Sequence, residues 1–395
     1  MSQTDTLLAR GVDKIYPSKE ELERLLNTSK KLRVYQGFDP TSPQLHIGHL
    51  IGLRKLRQWQ DLGHEVIFLI GDFTGRIGDP TGKEETRQLL SKERVDENAK
   101  AYKKQAGKVL RFNGNNPVKI KFNSQWLEKM SVQDVFDLAA QVTYQQIIER
   151  DLYQRRIQQN KDLSINEVMY PLMQGYDSVA MDVDVEVGGK DQLFNMMMGR
   201  HLMHKIKHKN KFVMTTQLLT DSAGNKIGKT AGNAVALTDS PSTIFGAIMS
   251  FPDETIIKGF ECLTDVEENE IKIFKEAISD GKNPLSFKKR LAFEVVKQLN
   301  NEQSAQNAQR EFERVFSKKE KPQEINSISI SKPNWKITDF LTENDLAGSK
   351  SEAKRLIEQG AIEIDGQTYL NQTIEFKNGQ IVKIGKKRFV KINLN

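Results

Sequence analysis

Residues 30–82 read "KKLRVYQGFDPTSPQLHIGHLIGLRKLRQWQDLGHEVIFLIGDFTGRIGDPTG". Two short apolar runs, "LRVYQGF" (32–38) and "EVIFLIGD" (65–72), are bounded by glycine, proline and aspartate turns, as buried strands are. Between them residues 48–62 carry helical spacing. Strand, helix and strand in that order make a βαβ unit, which implies a parallel sheet with its ligands at the carboxyl ends of the strands.

The pattern continues on the C-terminal side. Residues 84–160 are rich in Lys, Glu and Gln with helical spacing around the strand-like "VKIKFNSQWL" (118–127), so they read as sheet elements plus a helical insertion near 125–165. "DVDVEVGG" (182–189) alternates acidic and valine residues and stops at two glycines, a strand ending at the functional edge of the sheet. "KFVMTTQLL" (211–219) is a third parallel strand, leading into the turn "TDSAGNKIGKTAGN" (220–233). A catalytic domain is therefore expected over 1–239. Residues 240–316 are helical throughout and form a separate α-helical domain. Residues 317–335 combine charge, serine and proline and read as a linker, and 336–395 form a small α+β module with a basic run, "GKKRF".

At 395 residues the chain exceeds what one hydrophobic core usually organises. Its composition, 37% hydrophobic and 28% charged, is that of a globular domain protein, and no apolar run approaches a bilayer's thickness, so no membrane association is expected. The N-terminal residues read as polar turns leading into an amphipathic helix, with no export signal. The only cysteine, Cys262, excludes an intrachain disulfide and any cysteine-based zinc cluster, and a reducing cytoplasm is the expected location. A net charge of +7 suggests a polyanionic partner without choosing RNA over DNA.

Two of the six histidines, His46 and His49, flank Gly48 where a strand gives way to a helix. Their neighbours offer few further metal ligands, Asp39 being the nearby carboxylate, and no protein-bound metal is expected. A helix N-terminus has unpaired N–H groups and the positive end of a dipole, and two imidazole donors there would extend an anion site. Gly48 leaves room for a flat base against the backbone, so the pair suits a nucleoside triphosphate. In "KIGKT" (226–230) two lysines and a hydroxyl can follow a migrating pyrophosphate. Neither this loop nor "GRIGDPTGK" (75–83) has P-loop spacing.

"HIGH" followed later by "KIGKT" resembles the two signatures of class I aminoacyl-tRNA synthetases, the second departing from Lys-Met-Ser-Lys-Ser at Ile227, Gly228 and Thr230 but keeping both lysines and a hydroxyl. "YQGFDPTSPQLHIGH", "GDFTGRIGDPTG" and "YPLMQGYDSVAMDVDVEVGGKDQLFN" narrow the resemblance to the long bacterial branch of the tyrosyl-tRNA synthetases, over nearly the whole chain. The resemblance implies a Rossmann-like catalytic domain, a helical anticodon-binding domain and an RNA-binding tail. It also implies a homodimer with the insertion at its interface, and a two-step reaction of tyrosine with ATP, as its magnesium complex, and then with tRNA(Tyr). Tyr35 and Asp177 would address the phenol, and Asp79, Tyr170 and Gln174 the ammonium. Asp39, Asp191 and Gln192 would lie near the ribose or the amino acid's carboxylate. Thr41, His46, Gly48 and His49 would meet the phosphates and base, with Lys83, Arg87, Lys226, Lys229 and Thr230 on loops around them. Tryptophanyl-tRNA synthetase shares this fold, but the Tyr35 and Asp177 pair and the tail favour tyrosine. A synthetase-derived RNA-binding protein without catalysis is disfavoured by intact "HIGH", "KIGKT" and Asp79.

The stretch "KITDFLTENDLAGSKSEAKRLIEQGAIEIDGQTY" (336–369) resembles the S-four-type RNA-binding module, with Lys350 where relatives often carry arginine. Lysine keeps the charge and loses the bidentate fork. Lys350, Lys354, Arg355, Lys386, Lys387 and Arg388 would contact the tRNA backbone. In "HLMHKIKH", His201, His204 and His208 share a helix face but are flanked by lysines that repel a cation, and "NMMMG" beside them reads as packing. Deleting 336–395 is expected to spare adenylate formation and impair tRNA charging; full charging at physiological salt would refute the tail's role.

Overall fold

The computed structural model describes the chain except residues 1, 82–89, 222–223, 225–226, 228, 231–232, 319–325, 345, 386–387 and 395. It divides into two compact units, residues 1–228 with 235–305, and residues 229–234 with 306–395.

The first unit is built on a six-stranded sheet of β1 (Val12–Tyr16), β2 (Arg33–Phe38), β3 (Glu65–Ile70), β4 (Lys119–Phe122), β5 (Val185–Gly189) and β6 (Phe212–Thr216), in the order β1-β6-β5-β2-β3-β4. Neighbours from β6 to β4 are parallel, and β1 is an antiparallel edge. The chain runs outward through β3 and β4 on one side of β2, and through β5 and β6 on the other. Strand order thus reverses between β2 and β5, and the crevice at their carboxyl ends is where such sheets hold ligands.

Val66 to Ile70 are all buried, as a parallel strand covered on both faces requires. Helix α1 (Ile47–Asp61) makes the crossover from β2 to β3 and seats Leu50, Leu53, Leu56 and Trp59 with no exposed surface. Helices α2 (Ile165–Met181) and α3 (Leu193–Lys207) frame β5.

Three segments differ from the sequence reading. The N-terminal stretch contains helix Gln3–Ala9 and strand β1, an edge strand whose burial does not alternate and whose register shifts between Val12 and Lys14, so it carries no period of two to read. The helices from Pro241 to Leu299 lie in the same compact unit as the sheet rather than in one of their own. Arg10 donates to the carbonyls of Phe260, Glu261, Thr264 and Val266, satisfying the open end of helix Ile256–Leu263, and Arg54 of α1 pairs with Asp265 at 2.6 Å. Inside the stretch read as a linker, Asn326–Ile330 forms a strand parallel to Arg388–Leu394. Its "NSISI" alternates, but the surrounding charge, serine and proline masked the pattern.

The second unit packs helices Ile337–Glu343 and Lys350–Glu358 on a five-stranded sheet around one core that includes Ile337, Phe340, Ala353, Ile362, Val382 and Ile392. Among the described residues no helix is long and apolar enough to cross a membrane.

Lys55 of α1 is buried, and its ammonium donates to the carbonyls of Leu7 (2.8 Å) and Arg10 (2.7 Å). Burial, with Arg54 beside it, pulls its pKa from 10.5 to about 7. Between those values the unfolded chain binds more protons, so folding stability falls as pH drops from 10.5 toward 7. Urea titrations should show this as a slope approaching about 1.4 kcal/mol per pH unit, which Lys55→Met flattens. Equal slopes in both proteins would remove Lys55 as the source.

Candidate active site

The carboxyl ends of the parallel strands each deliver a polar group. Asp39 follows β2, Thr74 and Asp79 follow β3, Asn123 follows β4, and Asp191 and Gln192 follow β5. Across from them α2 presents Tyr170, Gln174, Asp177 and Ser178 at the i, i+4, i+7 and i+8 spacing of one helix face.

Asp39, Thr74, Asn123, Asp177 and Tyr170 form one connected network. Asp177 Oδ1 accepts from the Trp126 indole at 2.8 Å, and its Oδ2 accepts from Asn123 Nδ2 at 3.2 Å. The same Asn123 amide donates to Thr74 Oγ1 (2.9 Å), whose hydroxyl donates to Asp39 Oδ1 (2.7 Å). Asp39 Oδ2 accepts from Tyr170 Oη at 2.8 Å. Burial pushes the Asp177 carboxyl well above the usual range, against the two N–H donors that pull it down, while Asp39 and Glu186 push further upward. Burial raises the Tyr170 phenol, with Asp39 and Asp79 next in effect. Tyr35 on β2 is buried among Ile67, Leu69 and Trp126, shares a 2.8 Å hydrogen bond with Ser178 Oγ, and is raised by burial and then by Glu186.

Asp79 Oδ1 accepts from the Thr81 amide (2.9 Å) and hydroxyl (2.6 Å), and its Oδ2 from Gln192 Nε2 (2.7 Å). Gln192 is held in turn by Asn195 at 2.9 Å. Gln174 donates to Glu186 at 3.4 Å, while its buried Oε1 has no hydrogen-bond partner among the described residues. Asp191 Oδ1 lies over Gly189, 2.5 Å from where a Cβ would stand. Thr41 is exposed, with its amide on the Asp39 carbonyl at 2.8 Å.

His46 caps α1: its Nδ1 accepts from the Gly48 amide at 3.1 Å, and His49 Nδ1 accepts from the His46 amide at 3.0 Å. The helix N-terminus is expected from the sequence to leave N–H groups open to an anion, but the amides of His46 and Gly48 are taken by the histidines themselves. With Nδ1 an acceptor, the proton of each neutral ring sits on Nε2. The rings lie 3.9 Å apart between centroids. Backbone hydrogen bonds from Ile47 to Val235 (3.0 Å) and from Leu237 to Leu45 (2.8 Å) tie this segment to the stretch that follows "KIGKT".

Residues 27–317 match the family described as tRNA synthetases class I (W and Y), and residues 317–392 match the tyrosine–tRNA ligase SYY-like C-terminal domain. The tyrosine–tRNA ligase of Moorella thermoacetica is 41% identical over 98% of this chain and 95% of its own length. That of Thermotoga maritima is 41% identical, covering 98% and 96%. The chain belongs to the tyrosine–tRNA ligase family. A C-terminally truncated mitochondrial tyrosyl-tRNA synthetase from Coccidioides posadasii superposes with a TM-score of 0.64 at 25% identity, covering 78% of this chain and 91% of that one. The class I synthetase fold is therefore that of this ligase as well.

Lys83, Arg87, Lys226, Lys386 and Lys387 lie outside the described residues. Lys229 and Thr230 form a two-residue strand paired with Asn233–Ala234, and Arg388 opens strand Arg388–Leu394. In the tail Lys350 pairs with Asp339 at 2.8 Å, Lys354 sits 4.0 Å from Glu358, and Arg355 is exposed in the last turn of its helix. Of the three histidines in "HLMHKIKH", His201 shares a 2.9 Å hydrogen bond with the Gln141 carbonyl and His208 is the left-handed C-cap of α3. No group of three potential metal ligands occurs among the described residues.

The sequence reading passed over Asn123, Trp126, Ser178, Glu186 and Lys211. Asn123 was detectable as the residue directly after a parallel strand, the place where ligands are met. The other four carry no local signal, because only packing makes them neighbours of Tyr35 and Asp177. A Cβ on Gly48 would stand 2.8 Å from His46 Cε1, so Gly48→Ala displaces the capping ring. The expected outcome is a fall in adenylate formation of roughly 100-fold with tyrosine affinity retained. Loss of both together, by active-site titration and equilibrium binding, would contradict this placement.

Proposed function

We propose the following division of labour for the two-step reaction of this tyrosine–tRNA ligase. Tyrosine's carboxylate attacks the α-phosphorus of ATP, giving tyrosyl-adenylate and pyrophosphate, and the terminal ribose hydroxyl of tRNA(Tyr) then takes the tyrosyl group. No protein nucleophile is required, and catalysis rests on positioning and on charge stabilisation.

The observation that carries the tyrosine assignment is a buried phenol and a buried carboxyl, Tyr35 and Asp177, beside apolar Leu69 and the Trp126 ring. A substrate phenol accepts from Tyr35 and donates to Asp177, whose oxygens keep acceptor capacity beyond their bonds to Trp126 and Asn123. Phenylalanine offers neither residue a partner, so the Tyr35 donor and the remaining acceptor capacity of Asp177 go unused, and tyrosyl-tRNA synthetases are themselves the standard example of that discrimination. For the ammonium, Asp79, Tyr170 and Gln174 supply oxygen acceptors, and the unpartnered Gln174 Oε1 is what a cation donor would satisfy.

On the nucleotide side, Nε2–H of His46 and His49 donates to the phosphates, and Gly48 faces the base. Asp39, Asp191 and Gln192 serve the ribose and the amino acid's carboxylate. Thr41, Lys83, Arg87, Lys226, Lys229 and Thr230 follow the leaving pyrophosphate, and magnesium enters with ATP. Lys350, Lys354, Arg355, Lys386, Lys387 and Arg388 meet the tRNA backbone, Lys350 exchanging Asp339 for a phosphate. Exposed Val132, Phe136, Tyr144, Ile157 and Ile165 on the insertion supply an apolar face for a second copy, a homodimer. The single free cysteine suits a cytoplasmic enzyme.

ATP–pyrophosphate exchange run separately with tyrosine, tryptophan and phenylalanine tests this reading. Exchange with tyrosine alone is expected. Exchange driven by tryptophan would transfer the assignment to the other branch of the family, and none with any of the three would end the catalytic reading.

A further inference from the structure

Lys211, the residue before β6, has no exposed surface, and its ammonium ends on the buried carboxylate of Glu186 in β5. It also donates to Ser178 Oγ at 2.9 Å, and Ser178 Oγ is the 2.8 Å partner of Tyr35 Oη. The other oxygen of Glu186 accepts from Gln174. One buried cation therefore touches, through one intermediate each, a residue assigned to the phenol and one assigned to the ammonium.

The space for that cation is made by a glycine in α3. A Cβ on Gly199 would stand 2.5 Å from Lys211 Nζ, 2.8 Å from Ser178 Oγ and 3.3 Å from Glu186 Oε2. Removing one charge of such a pair strands the other in the interior, so the pair is a costly way merely to fill volume. Its chemistry has a direction, however. A lysine ammonium has three donors and no acceptor, so Ser178 Oγ accepts a hydrogen bond from it. A hydroxyl that accepts from a cation becomes a stronger donor, which favours Ser178 donating onward to Tyr35 Oη. Tyr35 then has its own proton to offer elsewhere.

We propose that Lys211 is a positioning residue for tyrosine selection, setting the direction of the chain Lys211 to Ser178 to Tyr35 so that Tyr35 donates to the substrate's phenolic oxygen. Asp177 accepts the hydrogen bond that the substrate's phenol donates at the other side. This rests on the assignment of Tyr35 and Asp177 to the phenol.

The full-length enzyme is tested in tyrosine- and phenylalanine-dependent ATP–pyrophosphate exchange. Ser178→Ala cuts the relay and leaves the ion pair whole. The double variant Lys211→Met with Glu186→Gln removes both charges together. Each is expected to raise the KM for tyrosine and to lower the tyrosine-to-phenylalanine ratio of kcat/KM by roughly 10-fold, with the KM for ATP unchanged. A role in folding alone would instead lower active-enzyme concentration and leave both the KM and the ratio untouched. Tyr35→Phe separates the two levels. If it lowers the ratio while the double variant keeps the wild-type ratio, the role of Lys211 is overturned and the pocket stands. Should the double variant not fold, an unchanged ratio in Ser178→Ala has the same force. If Tyr35→Phe itself leaves the ratio unchanged, the phenol assignment falls and the Lys211 role with it.

Discussion

The amide of Asn123 is the joint on which the site depends. It stands directly after β4 with no exposed surface, and three of its hydrogen bonds join two distant segments: the Phe73 backbone and Thr74 hydroxyl after β3, and the Asp177 carboxyl on α2. A carboxamide has two donors and one acceptor oxygen, so this residue type can hold two acceptors and one donor at once. A buried polar group without a partner is costly, and each link here removes one such cost. The result joins Tyr170 and Asp39 at one end to Asp177 and Trp126 at the other.

Charge is the second constraint. Asp39, Asp177 and Glu186 converge near a sheet whose walls are apolar, and each raises the proton affinity of its neighbours. Hydrogen-bond donors hold Asp177, while Glu186 takes the only full cation among the contacts described for it, Lys211. Burial works to lower the Lys211 pKa and Glu186 works to raise it. Site and support are thus one electrostatic unit, with the Lys211 ammonium 5.9 Å from the centre of the Tyr35 ring.

At the start of α1 the same demand for hydrogen bonds changes the meaning of a motif. The histidines are first of all caps: they satisfy backbone amides that a bare helix N-terminus would leave to an anion. That use of Nδ1 fixes each ring and turns Nε2–H outward from the cap. An anion at this place meets imidazole protons rather than the amides of Gly48 and His46.

How much of this was legible depended on the range of the interaction. The βαβ unit and the parallel strands follow from "LRVYQGF" and "EVIFLIGD", because burial on both faces of a strand is a local demand on residue type, and the class of chemistry follows from the resemblance that "HIGH" and "KIGKT" carry. Strand β1 and the strand Asn326–Ile330 were hidden, since an edge position tolerates charge and a short alternation carries little signal. The helices after Pro241 read correctly as helices, yet whether they join the sheet was set by Arg10 and Arg54 reaching distant carbonyl and carboxylate groups. Asn123, Ser178, Glu186 and Lys211 became parts of one site only when β4, α2, β5 and β6 were aligned. The sequence by itself determined which elements form and which family they serve. Only the tertiary structure decided which buried polar groups answer one another, because that pairing is a property of packed neighbours far apart along the chain.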